Sequence, residues 1–334
     1  MRVTIIYALV ETISKGRSDE IIANQDVMNT VNNVGEILKQ LNFEVLKIKF
    51  DKYLYRNLRK ENPDIVFNLC DSFEDSSKTE ATIPAILEML NLPYTGCGML
   101  PLSICLNKAR TKEILSYNKI PNASFQLFKN GNETLRQDMT FPLIVKPNSE
   151  DASIGIRRGC VVNNKKDLQK RIREIIDSYK QEALVEEYLD GREFDVCIIG
   201  NENQFVLPIS ETVYKGFSDD EIKICDYESK WLKSDKHYDG ISSDFPAKIS
   251  KKEEALIKAY ASKTYLLTGC EGYARIEFRM KNNIPHILEV NPNPDICPDG
   301  LFFKLAKTQG WDEKDLIMKL LNFGLQRHKK NMQK

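Results

Sequence analysis

The chain has 334 residues, 42% of them hydrophobic, and its 48 lysines and arginines balance 48 aspartates and glutamates. That length and apolar share suit two or three globular modules with buried cores and exclude a disordered or fibrous chain. A formal net charge of zero removes the electrostatic argument for a nucleic acid or an anionic membrane as partner, so a small molecule is expected instead. The opening "MRVTIIYALVET" meets Glu11 too early for a signal peptide or a bilayer span, and a cytoplasmic protein is expected. Cysteines 70, 97, 105, 160, 197, 225, 270 and 297 sit singly, without a C-x-x-C pair and with only three histidines. A disulfide framework or a zinc site is therefore not expected; buried thiols in a reducing compartment are.

In chain order, "VTIIYALV" (3–10) reads as a strand, and Met28, Val31, Val34, Leu38 and Leu41 recur at helical spacing before the alternating "FEVLKIKF" (43–50). "DIVFNL" (64–69) precedes a helix carrying Ile86, Leu87 and Leu90. This predicts a βαβ open sheet with a crevice at the strand ends, and no G-x-G-x-x-G follows the first strand to make it a dinucleotide site. The turn-rich "PYTGCGMLPL" (93–102) reads as a hinge or boundary. A basic helix, "NKARTKEIL", leads into strands in quick succession: "FPLIVKP" (141–147), "ALVEEYL" (183–189) and "EFDVCIIG" (193–200). "QFVLPIS" (204–210), a helix near 252–267, "ARIEFRM" (274–280), "HILEV" (286–290) and a helix from Asp312 to Gln326 complete an α+β pattern, with the tail "QRHKKNMQK" frayed. The expected units are 1–105, 106–190 and 191–334.

Strand residues two apart share a face, so Glu289 and Asn291 project together, and Glu277 joins them if its strand pairs with theirs. Three oxygen donors suit magnesium, whereas Glu289 alone reads more readily as the exposed residue of an edge strand. Lys146, ending an apolar strand, either snorkels or reaches an anion. The small-residue loop "PNSEDASIGIRRG" (147–159) either covers phosphates with its backbone amides or is a plain hairpin turn. Glu186, Glu187 and Glu193 flank a turn at Asp190 and Gly191, beside a ribose or simply in solvent.

The order of these pieces, from Lys108 through "FPLIVKP", "LVEEYLDGREF", "DYESKWL" and "GYARIEFRM" to "ILEVNPNPDI", resembles the D-alanine:D-alanine ligase branch of the ATP-grasp superfamily. The resemblance implies an ATP-grasp fold: an N-terminal βαβ open-sheet domain (1–105), then two α+β modules (106–190 and 191–334) that sandwich ATP. It implies that Lys108 and Lys146 hold ATP, that Ser153, Ile154 and Gly155 belong to the loop over the triphosphate, and that Glu186, Glu187 and Leu189 lie at adenine. Glu193 would take the ribose hydroxyls, and Lys230 would contact phosphate from a mobile segment, 212–236. Glu277, Glu289 and Asn291 match ligands of two magnesium ions, with manganese an acceptable substitute, and Arg275 matches the residue that stabilises the oxyanion. Arg275, Lys230 and Ser153 would be the catalytic set.

The implied activity is peptide or amide bond formation from a small-molecule carboxylate and an amine through an acyl phosphate, releasing ADP and phosphate. Transferring the γ-phosphoryl group first turns a poor leaving oxygen into a good one, and closure keeps water from the intermediate. Related ligases are often homodimers. The sequence departs from the family's pattern where substrates are chosen. Ala152 stands in place of a serine, Trp231 in place of a tyrosine that bonds that serine, and "VETISKGRSDE" lacks a match to the loop that supplies a glutamate to the first amino group. Asp295 stands in place of a glycine, and Gly300 in place of a serine that binds the second carboxylate. An acidic loop carrying Asp295 and Asp299 is expected to disfavour a carboxylate-bearing acceptor and tolerate a cationic or bulkier amine. Two alternatives remain at this stage: D-alanine:D-alanine ligation itself, and an ATP-binding relative without turnover.

Overall fold

Apolar runs separated by helically spaced residues build the first layer of the computed structural model, which describes residues 1–24, 27–72 and 76–333. Strand β1 (Arg2–Tyr7), helix α1 (Val27–Gln40), β2 (Glu44–Lys49), α2 (Leu54–Glu61) and β3 (Ile65–Leu69) form a parallel sheet in the order β2-β1-β3. Val31, Val34 and Leu38 of α1 are buried in one core with Val3, Ile5 and Phe67, as their spacing predicts. The helix read from Ile86 and Leu87 is α3 (Thr82–Met89).

The stretch read as a hinge holds the start of α4 (Met99–Leu106) instead. Pro101 lies in its first turn, where a missing N–H breaks no helical bond. Helix α5 (Lys108–Tyr117) follows at once, because the Asn107 side chain accepts from Arg110 N and caps it.

The second layer comprises β4 (Phe125–Phe128), β5 (Leu143–Pro147), β6 (Val161–Val162), α6 (Lys165–Tyr179) and β7 (Ala183–Glu187), an antiparallel sheet in the order β4-β7-β5-β6. The expected run of strands in quick succession omits α6. Leu168, Ile172, Ile175 and Tyr179 give it an apolar stripe that packs on Val145 and Val185, between many basic residues.

The third layer holds β8 (Glu193–Gly200), β9 (Phe205–Val206), β10 (Ser210–Tyr214), α7 (Tyr227–Trp231), β11 (Ile241–Asp244), α8 (Lys251–Leu267), β12 (Gly272–Lys281) and β13 (Ile284–Pro292). Its order is β11-β10-β8-β12-β13, with β9 also on β8. "QFVLPIS" is thus two strands rather than one; Pro208, which has no N–H to give a ladder, lies between them. Helices α9 (Leu301–Thr308) and α10 (Glu313–Met332) close the chain.

The tail read as frayed is helical through Met332. Asp312 caps α10 in a reciprocal pair with Asp315, and Arg327 is buried, donating to the Tyr94 and Gly96 carbonyls and stacking on Tyr94 at 4.1 Å. All eight cysteines carry free thiols. Among the described residues, no helix is long and apolar enough to cross a membrane.

Candidate active site

Strand register builds the site. Glu289 of β13 stands opposite Glu277 of β12, which stands opposite Asp195 of β8, so three carboxylates form a row across one face of the sheet. In the neighbouring row Asn291 is opposite Arg275. The pairing on which the sequence-based trio depends is therefore present. Facing this sheet across a cleft of about 320 Å³ is the antiparallel sheet of β5 and β7. Lys108, Lys146, Ser153, Glu186, Glu187, Leu189, Glu193, Lys230, Arg275, Glu277, Glu289 and Asn291 all line it.

Local geometry holds the turn that joins the two sheets. A Cβ on Gly191 would stand 2.1 Å from the Met280 carbonyl oxygen, so only glycine lets the chain pass β12 closely enough to place Glu193 in the cleft. Gly155 has φ +74°, and a Cβ there would meet Pro147 Cγ at 2.4 Å; glycine lets the 148–160 loop fold back on β5.

The charges are paired in detail. Lys108 Nζ lies 2.6 Å from Glu289 Oε1 and 3.2 Å from Asp151 Oδ1. Burial opposes its charge, but these two carboxylates outweigh it and hold the ammonium well above the usual lysine range. Burial likewise opposes charge on Glu289, and Lys108 and Lys146 overcome it, holding that carboxyl below its ordinary value. Glu289 is thus a paired carboxylate on an edge strand rather than a solvent-facing one. Arg275 Nη2 is 2.6 Å from Glu277 Oε1, and its Nε is 3.4 Å from Asp195 Oδ1.

Asn291 donates its amide nitrogen to Glu277 Oε1 at 2.8 Å, which leaves Oδ1 without a donor among the described residues. Glu277, Glu289 and Asn291 therefore offer oxygen only, the donor chemistry that a hard cation such as magnesium takes. Glu193 accepts from Tyr214 OH at 2.8 Å and pairs with Arg279 at 3.1 Å, while burial raises its carboxyl.

Several residues at this cleft or directly behind it escape the sequence reading. Lys112, 2% exposed, lies 3.3 Å from Glu186 Oε1, and Lys146 lies 3.2 Å from Glu186 Oε2, so two buried ammoniums share one carboxylate. Burial pulls the Lys112 ammonium below its ordinary value, Glu186 opposing. Asp195, in the alternating "EFDVCIIG", completes the carboxylate row, and Asp151 and Arg279 also line the cleft.

Six residues assigned by resemblance do not line the cleft. Ile154 packs against the core beneath α6, and Gly155 shapes the loop's return. Trp231 points back to the loop: its Nε1 donates to the Ala152 carbonyl at 2.9 Å. The tyrosine and serine replacements therefore do not sever the link between α7 and the loop, because the indole N–H reaches backbone where a hydroxyl is missing. Asp295 is exposed and accepts from Thr30 Oγ1 of α1 at 3.0 Å. Asp299 is exposed too, and Gly300 is the N-cap of α9. Within 212–236, the end of β10 and α7 are regular elements, and Ser153 Oγ donates to the Cys225 carbonyl at 2.9 Å.

Comparison with known proteins identifies relatives of this chain. A family model described as "D-ala D-ala ligase C-terminus" matches residues 113–322. A D-alanine–D-alanine ligase of Carboxydothermus hydrogenoformans is 32% identical over 91% of this chain and 95% of its own length. That of Pelotomaculum thermopropionicum is 30% identical over 95% of this chain and 96% of its own length. An uncharacterised protein of Sinorhizobium fredii is 29% identical over 89% of this chain and 88% of its own. The crystal structure of D-alanine–D-alanine ligase from Bacillus anthracis complexed with ATP superposes with a TM-score of 0.77 at 23% identity, covering 99% of both chains, and establishes the fold.

Proposed function

Because the chain belongs to the D-alanine–D-alanine ligase family, and so is an ATP-dependent carboxylate–amine ligase of the ATP-grasp fold, we propose that it joins a small carboxylate to an amine other than D-alanine. The observation that carries the substrate reading is Asp295. It stands exposed, bonded to Thr30, in the loop that directly follows the strand bearing Glu289 and Asn291. Asp295 does not itself line the cleft; its charge, on the loop leaving β13, disfavours at longer range an acceptor carrying its own carboxylate and favours a cationic or neutral amine. The names of the relatives favour the other reading, ligation of two D-alanines, and the same experiment weighs both.

In this account Lys108, Lys146 and Lys230 present ammoniums to the ATP phosphates, Ser153 covers them, and Glu193 takes the ribose hydroxyls. Glu186, Glu187 and Leu189 belong to the adenine end. Glu277, Glu289 and Asn291 would hold two magnesium ions, or manganese, which when bound neutralise charge on the phosphates. The Arg275 guanidinium, fixed between Glu277 and Asp195, is oriented before any oxyanion forms and needs no reorganisation when the amine attacks. The 148–160 loop, whose Ser153 and Ile156 line the cleft, would exclude the water that otherwise hydrolyses an acyl phosphate. We assign 1–105, 106–190 and 191–334 as the three working units.

ADP release is to be measured with D-alanine, D-alaninamide and a diamine as acceptors, on wild type and Asp295→Gly. The reading predicts D-alaninamide or the diamine ahead of D-alanine, with the glycine variant narrowing the gap. D-alanine used best by wild type, with an acceptor profile unchanged in the variant, would establish the D-alanine reading instead.

A further inference from the structure

The loop over the cleft and the helix that carries Lys230 are fastened to the N-terminal part of the chain by one guanidinium. Arg157, only 5% exposed, donates from Nη2 to Asp19 Oδ1 at 2.7 Å and from Nη1 to Asp19 Oδ2 at 3.0 Å. Its Nε reaches Glu20 Oε1 at 3.3 Å, and Nη1 also reaches Glu228 Oε1 at 3.2 Å. The guanidinium stacks over the Tyr227 ring at 4.5 Å.

Three separate segments meet at this point: the 3-10 turn Ser18–Asn24, the 148–160 loop, and α7. Backbone bonds run in parallel with the charges. Tyr227 N donates to the Ile156 carbonyl and Tyr227 OH to the Asp19 carbonyl, each at 2.8 Å; Gly155 N donates to Glu20 Oε1 at 3.1 Å.

From this geometry we infer that Arg157 is a positioning residue for phosphoryl transfer, setting Ser153 and Lys230 against the nucleotide by clamping their segments to Asp19, Glu20 and Glu228. The inference rests on the ligase reading above. Ser153 is four residues before Arg157 on the same loop, and Lys230 is two residues after Glu228 on the same short helix; both line the cleft, whereas Arg157 does not. Arg157 therefore acts through them.

The charge balance explains why the clamp is selective for arginine. Without it, Asp19 and Glu20 of one segment face Glu228 of another, and like charges at short range push α7 away. A lysine supplies the charge but not the planar fork that reaches three carboxylates and lies flat on a tyrosine ring.

The test compares wild type with Arg157→Met, Arg157→Lys and Glu228→Gln, the last being milder because that side chain is 19% exposed. The first readout is tryptic cleavage at the lysines between Lys215 and Lys236 in nucleotide-free protein. Roughly tenfold faster cleavage is expected for Arg157→Met, with Arg157→Lys and Glu228→Gln between it and wild type. The second is the KM for ATP beside kcat in hydroxamate formation. A rise in KM of roughly tenfold, with more ADP released per hydroxamate formed, is expected.

Cleavage of Arg157→Met at the wild-type rate would overturn the clamp. Faster cleavage with KM and coupling unchanged would overturn the positioning role. If no carboxylate supports turnover, calorimetric affinity for ATP replaces KM, so a failed ligase reading is told apart from a failed clamp.

Discussion

Glu277 and Glu289 stand directly opposite each other across β12 and β13, yet each answers to a different cation: Glu277 to Arg275 and Glu289 to Lys108, both at 2.6 Å. Two carboxylates at one rung would repel if left alone. Their separate partners offset that repulsion and leave an oxygen-only set. Glu289→Gln removes one anionic oxygen from that set. Binding of Mn²⁺ in the presence of a non-hydrolysable ATP analogue, followed by calorimetry, should weaken by at least roughly tenfold. Unchanged affinity would remove Glu289 from the cation site.

The ammoniums of Lys112 and Lys146 meet on Glu186 with all three groups buried. Glu186→Gln leaves two positive charges without their carboxylate and should cost about 3–5 kcal/mol in urea unfolding. Lys112→Met leaves Glu186 with Lys146 at 3.2 Å, and should change stability by only about 1 kcal/mol in either direction. Equal losses in the two variants would contradict this account of the triad.

Arg275 is held between Glu277 and Asp195 before any substrate arrives. Replacing it by methionine should lower kcat on the order of 10²- to 10³-fold, the cost of losing one aimed donor, with little change in ATP affinity. A loss confined to KM for ATP would make Arg275 a nucleotide-binding residue instead.

Cys225 lines the cleft, and burial pushes its thiol up to about 11, Lys230 opposing and Glu193 adding to the rise. The reactive thiolate is scarce at pH 8 and increases about tenfold per pH unit until the thiol titrates. Iodoacetamide labelling of Cys225, followed by peptide mapping, should therefore be slow at pH 8, accelerate toward pH 10, and be suppressed by ATP. Fast labelling at pH 8 would show a solvated thiol.

How much of this was legible depended on periodicity. The period of two that puts Glu289 and Asn291 on one face, and the apolar spacing of α1, α5 and α8, are carried by adjacent residues and could be read directly. Lys112 could not: in "NKARTKEIL" three basic residues look alike, and only the packing of α5 against β13 and β7 decides that Lys108 and Lys112 point inward and Arg110 does not. Asp195 was hidden by the opposite circumstance, since a lone polar residue in an apolar strand looks exposed until β12 pairs beside it. Helix α6 was obscured by the lysines and arginines around its stripe, and the end of α10 by the absence of any sign that Arg327 would reach Tyr94. Arg157 and Asp19 are 138 residues apart, and nothing local announces their meeting.

The central claim is that the cleft activates a carboxylate with ATP. Hydroxylamine captures an acyl phosphate whatever the natural amine, so hydroxamate formation with MgATP across a panel of amino acids, short peptides and other carboxylates tests it most directly. The account predicts that at least one carboxylate yields hydroxamate in step with ADP, and that Arg275→Met, by on the order of 10²-fold or more, and Glu289→Gln, by roughly tenfold or more, slow its formation. ATP bound, as seen by calorimetry, with ADP released at a rate no carboxylate alters and no hydroxamate formed, would contradict it.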